Sequence, residues 1–283
     1  MSQEPLDRWI GNQERCSDAL DPALAARVAA TLGHDCPAPG QALPPLWHWA
    51  FFQNPVTADG LGADGHAARG GFLPPADDRN RMWAGGRVEF LAPLRVGIAA
   101  ERESTVTDIQ EKQGRTGALL FVTVRHDYRQ GDDIAIRETQ EIVYRQPAPP
   151  KRELDEPMPD AEWSRTVTPT PTLLFRYSAV TFNGHRIHYD WPYATETEGY
   201  ADLVVHGPLI ATLQLDTFCA AHPEARVTEF TYRGLRPLTA ERTFQTTGRL
   251  VSPGRAELTA GNEFGPAHRA SVSFDIDHGD PTP

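Results

Sequence analysis

Side chains able to carry out chemistry are concentrated in one short segment, where Asn183, His185, Arg186 and His188 fall within six consecutive positions. An imidazole changes its charge near neutral pH, so each histidine can accept or donate a proton during a reaction. Further along the chain, Val205–Leu209 has the composition of the start of an apolar helix. The first backbone N–H groups of a helix have no partner within the helix and can stabilise a negative charge. We interpret the two segments together as an active site.

Each candidate residue also has a purely structural interpretation. Asn183 can be a turn residue, because asparagine tolerates turn conformations, Gly207 can serve close packing, and His206 can cap the helix. His185 and His188 stand three residues apart, as metal ligands can, but no third ligand is evident and we predict no metal. We favour a catalytic role for His188, because an amide and a glycine-led apolar helix accompany it.

The composition is that of a globular protein and excludes some classes of partner. Of the 283 residues, 40% are hydrophobic and 23% are charged, with a formal net charge of -11. Broad contact with nucleic acid or an anionic membrane needs a basic surface, so we predict neither as a partner. The cysteines Cys16, Cys36 and Cys219 are widely spaced, which indicates neither a disulfide framework nor a cysteine metal site. With no signal peptide and no apolar run of about 20 residues, we expect a cytoplasmic protein.

The first half begins with a short helix followed by a long irregular segment. Asp21 and Pro22 predict the start of the helix, and Gly33 predicts its end. The segment Cys36–Arg81 is rich in proline and glycine with interspersed aromatic residues, which is typical of a loop anchored by its side chains. Within it, Gly60–Gly65 matches the glycine pattern of dinucleotide-binding proteins. We reject that function, because the pattern binds pyrophosphate only between a strand and a helix, and neither is predicted here.

Both halves of the chain contain consecutive strands with no helix between them, which predicts antiparallel sheets. In the second half, a predicted helix over Val204–Cys219 precedes the strands. Similar sequences at Val88–Leu94 and Phe230–Leu238 indicate an internal duplication. The predicted strands are 88–91, 101–109, 118–128 and 134–144 in the first half, and 228–232, 243–251, 256–262 and 267–276 in the second.

A proline-rich connector divides the chain. The segment Gln146–Pro159 contains five prolines amid charged residues, a composition typical of an exposed and semi-rigid connector. We therefore predict an N-terminal domain over residues 1–146, a linker over 147–159 and a C-terminal domain over 160–283. A helix followed by an antiparallel sheet, used twice, places the protein in the α+β class.

Three segments resemble one enzyme family. Ser178–Asp190, Arg81–Gly86 and Val205–Leu209 are similar to the MaoC-like enoyl-CoA hydratases and dehydratases. The resemblance is to the branch that contains 3-hydroxyacyl-thioester dehydratase type 2 and the mesaconyl-CoA and itaconyl-CoA hydratases. It implies a double hot-dog fold, in which two antiparallel sheets each wrap a helix and join into one extended sheet. The N-terminal domain, whose helix is degenerate, lacks a counterpart of the Asn-x-x-x-x-His pattern, so we predict that it is non-catalytic.

The resemblance further implies how the residues share the hydration of a conjugated thioester. Many family members carry an aspartate five residues before the catalytic histidine, whereas this chain has Asn183 five residues before His188. An amide cannot take a proton from water, so we predict that His188 serves first as base and then as acid, while Asn183 orients the water. The backbone N–H of Gly207 is the predicted donor to the thioester oxygen.

The substrate that the resemblance implies is an unsaturated C5 dicarboxyl-CoA, either itaconyl-CoA or mesaconyl-C4-CoA, hydrated to citramalyl-CoA in itaconate degradation. Its phosphates and free carboxylate need cations, for which we predict Arg176, Arg186, Arg233 and Arg236. Arg186, which lies inside the motif, is the candidate for the free carboxylate. We expect no cofactor besides the CoA of the substrate and, by analogy, a homodimer. The alternatives are a 3-hydroxyacyl-thioester dehydratase of fatty acid synthesis, a hot-dog thioesterase and a non-catalytic acyl-CoA-binding protein.

Overall fold

Antiparallel strands form one continuous sheet through the described part of the protein. The structure is a computed structural model that describes residues 5–68, 70–76, 79–114, 117–146, 154 and 156–276. In chain order the strands are β1 (Gln13–Asp18), β2 (Asn80–Phe90), β3 (Ala100–Gly114), β4 (Gly117–Gln130), β5 (Asp133–Arg145), β6 (Trp163–Val167), β7 (Ala225–Gly234), β8 (Phe244–Ser252), β9 (Arg255–Asn262) and β10 (Gly265–Ile276). Their order in the sheet is β1-β3-β4-β5-β2-β7-β10-β9-β8-β6.

The two halves of the sheet have the same layout and meet at its centre. There β2 and β7 pair antiparallel, with Gly86 opposite Tyr232 and Val88 opposite Phe230. Counted outward from this pair, the first half runs β5, β4, β3 and β1, and the second half runs β10, β9, β8 and β6. This symmetry agrees with the predicted internal duplication and matches the double hot-dog layout.

The longest helix, α3 (Gly207–Ala221), is covered by the sheet of the second half. It contacts all five strands of that half, and Leu209, Leu213 and Phe218 are buried. A helix that is apolar on all sides is stable only when neighbouring elements cover it, as the sequence predicts here. It begins at Gly207 rather than Val204, because Val204 is paired in a β-bridge with Thr239. Neither α3 nor any other described helix is long and apolar enough to cross a membrane.

The helix of the first half is short and has the predicted ends. α1 (Pro22–Leu32) begins where the Asp21 carboxylate accepts a hydrogen bond from the Ala23 N–H at 2.8 Å. It ends at Gly33, whose φ of 78° is left-handed and therefore suits glycine. Capping at both ends defines this helix locally, so the sequence alone predicts it well.

Aromatic side chains of the irregular segment form part of the apolar core in the first half. Trp47, Phe51 and Phe52 are buried, in agreement with a loop anchored by its side chains. They belong to one apolar core that also contains Leu209 and Phe230 of the second half. The two predicted domains therefore share a core. Most of the predicted linker, residues 147–153 and 155, lies outside the described residues.

Some elements are absent from the sequence-based prediction. A further helix, α2 (Pro171–Val180), packs against α1. Its start is marked by a proline in the first turn and by the capping hydroxyl of Thr170. The edge strands β1 and β6 are also unpredicted, and β2 begins at Asn80 rather than Val88. The sequence did not predict this part of β2 because it contains Gly85 and Gly86, and glycine is disfavoured in strands unless another backbone segment approaches closely.

Candidate active site

The predicted active-site segment follows α2 directly. The chain leaves the helix through Phe182, which has a positive φ of 50°. The Asn183 N–H then donates to the Ser178 carbonyl at 2.8 Å, and the Asn183 side-chain oxygen accepts from the His185 N–H at 3.0 Å. Asn183 is therefore a turn residue, but no described residue accepts a hydrogen bond from its Nδ2. That N–H₂ group is free to bind a ligand.

His188 lies on a short 3-10 turn and is buried. Its Nδ1 is 2.7 Å from the carbonyl oxygen of Val204, and a carbonyl can only accept, so the neutral ring carries its proton on Nδ1. Nε2 then has a free lone pair, and no described residue donates to it. Burial, followed by the effect of His185, lowers the pKa of His188 to about 3. The ring is neutral at physiological pH and has the form required of a general base.

His188 belongs to a row of four rings, His66, His185, His188 and His206, which we call the imidazole row. The centroids of successive rings are 4.2, 5.4 and 3.7 Å apart. Burial first, and then His66, lowers the pKa of His185 to about 3, and burial lowers the pKa of His206 well below its usual range. Three neighbouring rings are therefore neutral at physiological pH, and two of them, His188 and His206, are buried.

His206 stands at the N-cap position of α3, but its side chain forms no cap hydrogen bond. Its Nε2 is instead 2.8 Å from the Ser178 hydroxyl, and its ring stacks on His188 at an interplanar angle of 20°. The interpretation of His206 as a helix cap is therefore wrong. The ring joins α2 to the start of α3 and supports one face of His188.

Gly207, the first residue of α3, packs against Trp83 of β2. A Cβ atom at position 207 would lie 2.6 Å from Trp83 Cε3, which is closer than carbon atoms approach without displacement. The close-packing interpretation of Gly207 is therefore correct. It does not exclude the predicted oxyanion role, because the free N–H groups of α3 start at the same place.

A cavity of about 680 Å³, which we call the central cavity, lies between the two halves. This volume is within the range of small-molecule sites. Ser178, Asn183 and Pro208 line it from the second half, whereas His66 and Trp83 line it from the first. The cavity thus brings together the amide of the motif, the start of α3 and a histidine of the irregular segment.

His188 and Gly207 are not among the residues that line the central cavity, but each is next in sequence to one that does, Tyr189 and Pro208 respectively. The cavity is also bordered by side chains that are both apolar and exposed, which we call the apolar rim. These are Val56, Leu61, Phe175, Phe182 and Tyr189. Such a rim is suited to a bulky organic ligand that enters from solvent.

The glycine-rich segment that resembles a nucleotide motif helps to build this site. A Cβ on Gly184 would lie 2.7 Å from the Gly65 carbonyl oxygen, and Gly65 has a positive φ of 87°. Only glycines allow the two backbones to approach so closely. The Arg186 N–H also donates to the Asp64 carbonyl at 2.9 Å. Residues 60–67, the 60–67 loop, are therefore fixed against the active-site segment.

Arg186, the predicted cation for a substrate carboxylate, is engaged within the protein. Its Nε and Nη2 are 2.9 and 2.7 Å from the Asp190 carboxylate, and Nη1 donates to the Ala63 carbonyl at 3.1 Å. The guanidinium also lies 4.1 Å from the centre of the Tyr193 ring. These contacts join the active-site segment to the 60–67 loop, and binding of a carboxylate by Arg186 stays a prediction.

The other three predicted arginines lie away from the central cavity. Arg176 is exposed on α2, beside Phe175 of the apolar rim, and Arg233 is exposed on β7. Arg236 is buried and donates to the Asn262 side chain at 2.6 Å. None of these three lines the central cavity, so their contact with CoA also stays a prediction.

Two arginines that the sequence analysis did not assign do line the central cavity, Arg81 and Arg102. No described residue accepts a hydrogen bond from the Arg81 guanidinium. Arg102 donates from Nη2 to Glu14 at 3.1 Å, while its Nε is buried without a partner among the described residues. Arg81 opens the segment Arg81–Gly86, so a signal for it was present in the sequence. Arg102 stands in an ordinary strand pattern, and nothing marks it.

The part of the cavity wall supplied by the first half contains a buried polar network around Glu138, which is fully buried. Its carboxylate accepts from Trp49 Nε1 at 3.1 Å and from the Tyr128 hydroxyl at 3.0 Å, and His48 Nε2 is 3.4 Å away. Burial raises the pKa of the Glu138 carboxyl, but the hydrogen bond from His48 and the other donors outweigh it, so the pKa lies below its usual value of 4.5. This end of the cavity is therefore polar and charged.

Asp64, His66 and His185 place potential metal-ligand atoms within 4.8 Å of one another. The sequence suggested only His185 and His188 as possible ligands. In the structure Asp64 and His66 join His185, whereas His188 is not part of the group. Asp64 Oδ2 is 3.2 Å from His66 Nδ1, which is equally typical of a carboxylate–imidazole hydrogen bond. The absence of a metal stays a prediction.

Comparison with solved structures establishes the fold first. A MaoC-like dehydratase from Phytophthora capsici superimposes on 97% of this chain and 100% of its own, with a TM-score of 0.70 at 14% sequence identity. The likeness shows the double hot-dog fold of that class. Within it, residues 46–240 match the family of hydroxyacyl-thioester dehydratase type 2, and the chain belongs to this family.

Curated relatives agree with the family. Mesaconyl-C(4)-CoA hydratase of Chloroflexus aurantiacus is 46% identical over 245 residues, which cover 84% of this chain and 86% of the relative. A mitochondrial hydroxyacyl-thioester dehydratase type 2 of Schizosaccharomyces pombe is 28% identical over 258 residues, covering 78% of this chain and 84% of that protein. The protein is therefore a hydro-lyase, with the activity of a CoA-thioester hydratase.

Proposed function

We propose that the protein reversibly hydrates an unsaturated C5 dicarboxyl-CoA, itaconyl-CoA or mesaconyl-C4-CoA, to citramalyl-CoA, as in itaconate degradation. One observation carries this proposal. The Val204 carbonyl fixes the tautomer of His188, so a neutral imidazole presents an unoccupied Nε2 beside a cavity lined by Asn183 and by the arginine Arg81. The name and 46% identity of the Chloroflexus relative support the substrate class.

In this mechanism, His188 Nε2 takes a proton from a water molecule that the Nδ2 group of Asn183 holds in place. The water oxygen bonds to the β-carbon, and the electrons of the double bond move toward the thioester. The backbone N–H groups at the start of α3, with Gly207 first, stabilise the negative charge on the thioester oxygen. Protonated His188 then gives its proton to the α-carbon of this enolate, which forms the C–H bond and restores the neutral ring. No step requires a cofactor or a metal.

Arg81 is better placed than Arg186 to bind the free carboxylate of such a substrate. Arg186 already has Asp190 as its partner, whereas Arg81 lines the central cavity and has no described acceptor. An arginine and a carboxylate form charge-assisted hydrogen bonds, often two in parallel. We therefore assign the substrate carboxylate to Arg81.

The CoA part of the substrate would leave the cavity across the apolar rim. Arg176 stands beside Phe175 of the rim and is exposed, so it is the predicted arginine best placed for a CoA phosphate. Arg233 and Arg236 have no such position. A homodimer joined through its sheets remains part of the proposal by analogy with other hot-dog proteins.

A panel of CoA thioesters tests the proposal. The purified protein is incubated with mesaconyl-C4-CoA, itaconyl-CoA, crotonyl-CoA and a C8 enoyl-CoA, and products are identified by mass spectrometry. We expect the highest kcat/KM on one of the two dicarboxyl substrates, with a gain of one water mass. Equal or faster turnover of the C8 substrate would contradict the proposal, and so would release of free CoA without hydration.

The second candidate is a 3-hydroxyacyl-thioester dehydratase of fatty acid synthesis. The fission yeast relative and the family name favour it. It requires space for a long apolar chain, whereas the part of the cavity wall near Glu138 is polar and charged. The C8 arm of the same panel separates the two candidates, and absence of turnover on every substrate would favour a non-catalytic acyl-CoA-binding protein.

A further inference from the structure

Hydration needs one group that takes a proton from water and one that gives a proton to the α-carbon. Neutral, buried His188 is suited to the first role, whereas the second needs a group that is protonated beforehand. Asn183 is an amide and cannot serve as that acid. Of the carboxylates in the described part of the chain, only Asp64 contacts a ring of the imidazole row, and it does so at His66.

Asp64 and His66 belong to the first half of the chain but stand at the active site of the second. His66 lines the same central cavity as Asn183, and its ring centroid is 4.2 Å from that of His185. The tight contact between Gly65 and Gly184 holds the pair in this position. The hydrogen bond from His66 is the largest of the effects that lower the pKa of the Asp64 carboxyl, so this carboxylate stays ionised.

Two rings of the imidazole row, His66 and His188, therefore differ in environment. A carboxylate 3.2 Å from His66 stabilises a positive charge on that ring. His188 contacts the neutral rings of His185 and His206, and burial keeps it unprotonated. Where surroundings push two titratable groups toward opposite protonation states, one is suited to act as acid and the other as base.

We propose that protonated His66, held by Asp64, is the general acid that delivers the proton to the α-carbon, while neutral His188 is the base that takes a proton from water. This inference rests on the proposed function and revises it, because His188 then serves one transfer rather than both. It also revises the expectation that the first half is non-catalytic.

The protons and electrons of the step balance. Water loses a proton to His188 Nε2, and its oxygen forms the C–O bond at the β-carbon. The electrons of the double bond move onto the thioester, and the enolate then takes the His66 proton to form the C–H bond at the α-carbon. The site is restored when His188 loses its proton and His66 takes one up, through solvent in the cavity or through His185, whose ring contacts both.

Isosteric variants of the full chain test the assignment. We expect His66→Gln to lower kcat by about 100-fold or more, the usual effect of losing a general acid, with little change in KM. Asp64→Asn keeps the shape of the loop and should lower kcat by about 10-fold, since it weakens but does not remove the acid. The matched control is His34→Gln, because His34 forms a similar pair with Asp216 on α3, 2.8 Å apart and away from the cavity.

A pH profile separates proton transfer from a structural role. In the described part of the chain, the charged and titratable groups around His66 include Asp64 of its own loop, His185, Arg186 and His188 of the active-site segment, and Arg81 of β2. Hydration needs the protonated acid, so Asp64→Asn should move the alkaline limb of kcat to lower pH, while His34→Gln leaves it unmoved. Added imidazole should restore part of the activity of His66→Ala, as a loss of folding would not allow.

Three outcomes would overturn this inference and leave the proposed function standing. The first is a wild-type kcat in His66→Gln, and the second is an alkaline limb of the kcat profile that does not move in Asp64→Asn. The third is loss of activity in EDTA that Zn²⁺ restores, which would make Asp64, His66 and His185 metal ligands. In contrast, failure of the wild-type protein to hydrate any CoA thioester of the panel would refute the proposed function itself.

Discussion

His188 donates its Nδ1–H to the main-chain carbonyl of Val204 over 2.7 Å. Val204 lies just before α3, so the bond also fixes the ring relative to the N-terminal end of that helix. The bond therefore holds the proposed base, His188, in a fixed position relative to the proposed oxyanion donors at the start of α3. Side chains held in this way lose little entropy when the substrate binds.

Replacing His188 by glutamine should abolish most catalysis without unfolding the protein. We expect kcat to fall by about 100-fold or more, because the amide cannot accept a proton from water. Stopped-flow or steady-state assays on the preferred substrate give kcat, and thermal unfolding reports folding. His222→Gln, at the opposite end of α3, is the control and should keep wild-type kcat. A folded His188→Gln variant with wild-type kcat would remove His188 from the mechanism.

Replacing Arg81 by glutamine should change specificity rather than chemistry. A lost hydrogen bond between charged groups costs about 1.5–3 kcal/mol, so kcat/KM on a dicarboxyl-CoA should fall roughly 10- to 100-fold. Turnover of crotonyl-CoA, which has no free carboxylate, should not change. Arg87→Gln is the control, because Arg87 is an exposed residue of the same strand and pairs with Glu89 and Glu229. An equal loss on both substrates would argue against carboxylate binding by Arg81.

Adding one methyl group at Gly207 should displace the start of α3 from Trp83. Gly207→Ala is expected to lower kcat by roughly 100-fold, the usual effect of losing an oxyanion donor. The matched control is Gly248→Ala, since a Cβ there would lie 2.6 Å from Trp163 Cζ2, outside the cavity. Both variants should lower the unfolding midpoint, but only Gly207→Ala should lower kcat. Similar kcat values in the two would show that Gly207 serves packing alone.

Buried neutral histidines should make the protein less stable in mild acid. Burial is the largest cause that lowers the pKa of His185, His188 and His268 to about 3 and of His126 to about 4, from a usual value of 6.5. The unfolded chain therefore takes up protons below pH 6.5 that the folded protein does not. Each ring should reduce the free energy of unfolding by about 1 kcal/mol for each pH unit below 6.5, an upper estimate. Urea unfolding at pH 7.5 and 5.5 measures this, and equal stability at both would contradict it.

Replacing Glu138 by glutamine should destabilise the wall of the central cavity. The glutamine N–H₂ group cannot accept from Trp49 or Tyr128, and an unpaired buried donor costs about 1–3 kcal/mol. Because the pKa of Glu138 is lowered, its contribution is complete above pH 4.5 and is lost as the pH falls below that value. Urea unfolding at pH 7.5 compares the variant with the wild type. Glu257→Gln, in an exposed pair with Arg249, is the control and should be nearly neutral.

Several elements could be predicted from the sequence because their causes are local. The ends of α1 depend on Asp21 and Gly33, which act within a few residues of their own position. The strands of both halves follow from runs of β-branched and aromatic residues. The edge strands β1 and β6 were missed, and so was the first part of β2, where the close approach of Tyr232 that makes Gly86 suitable involves a residue far away in sequence. Local rules cannot detect such a partner.

The sequence by itself determined the family, the segment from Asn183 to His188 and the apolar helix that begins at Gly207, because residue type and spacing carry that information. Only the tertiary structure decided that Arg186 pairs with Asp190 and that Arg81 lines the cavity. It also placed Asp64 and His66, more than a hundred residues earlier in the chain, beside His185. The physical reason is that the joined sheets of the two halves bring the 60–67 loop against the active-site segment. The packing of Gly65 on Gly184 depends on both segments at once, so neither segment alone predicts it.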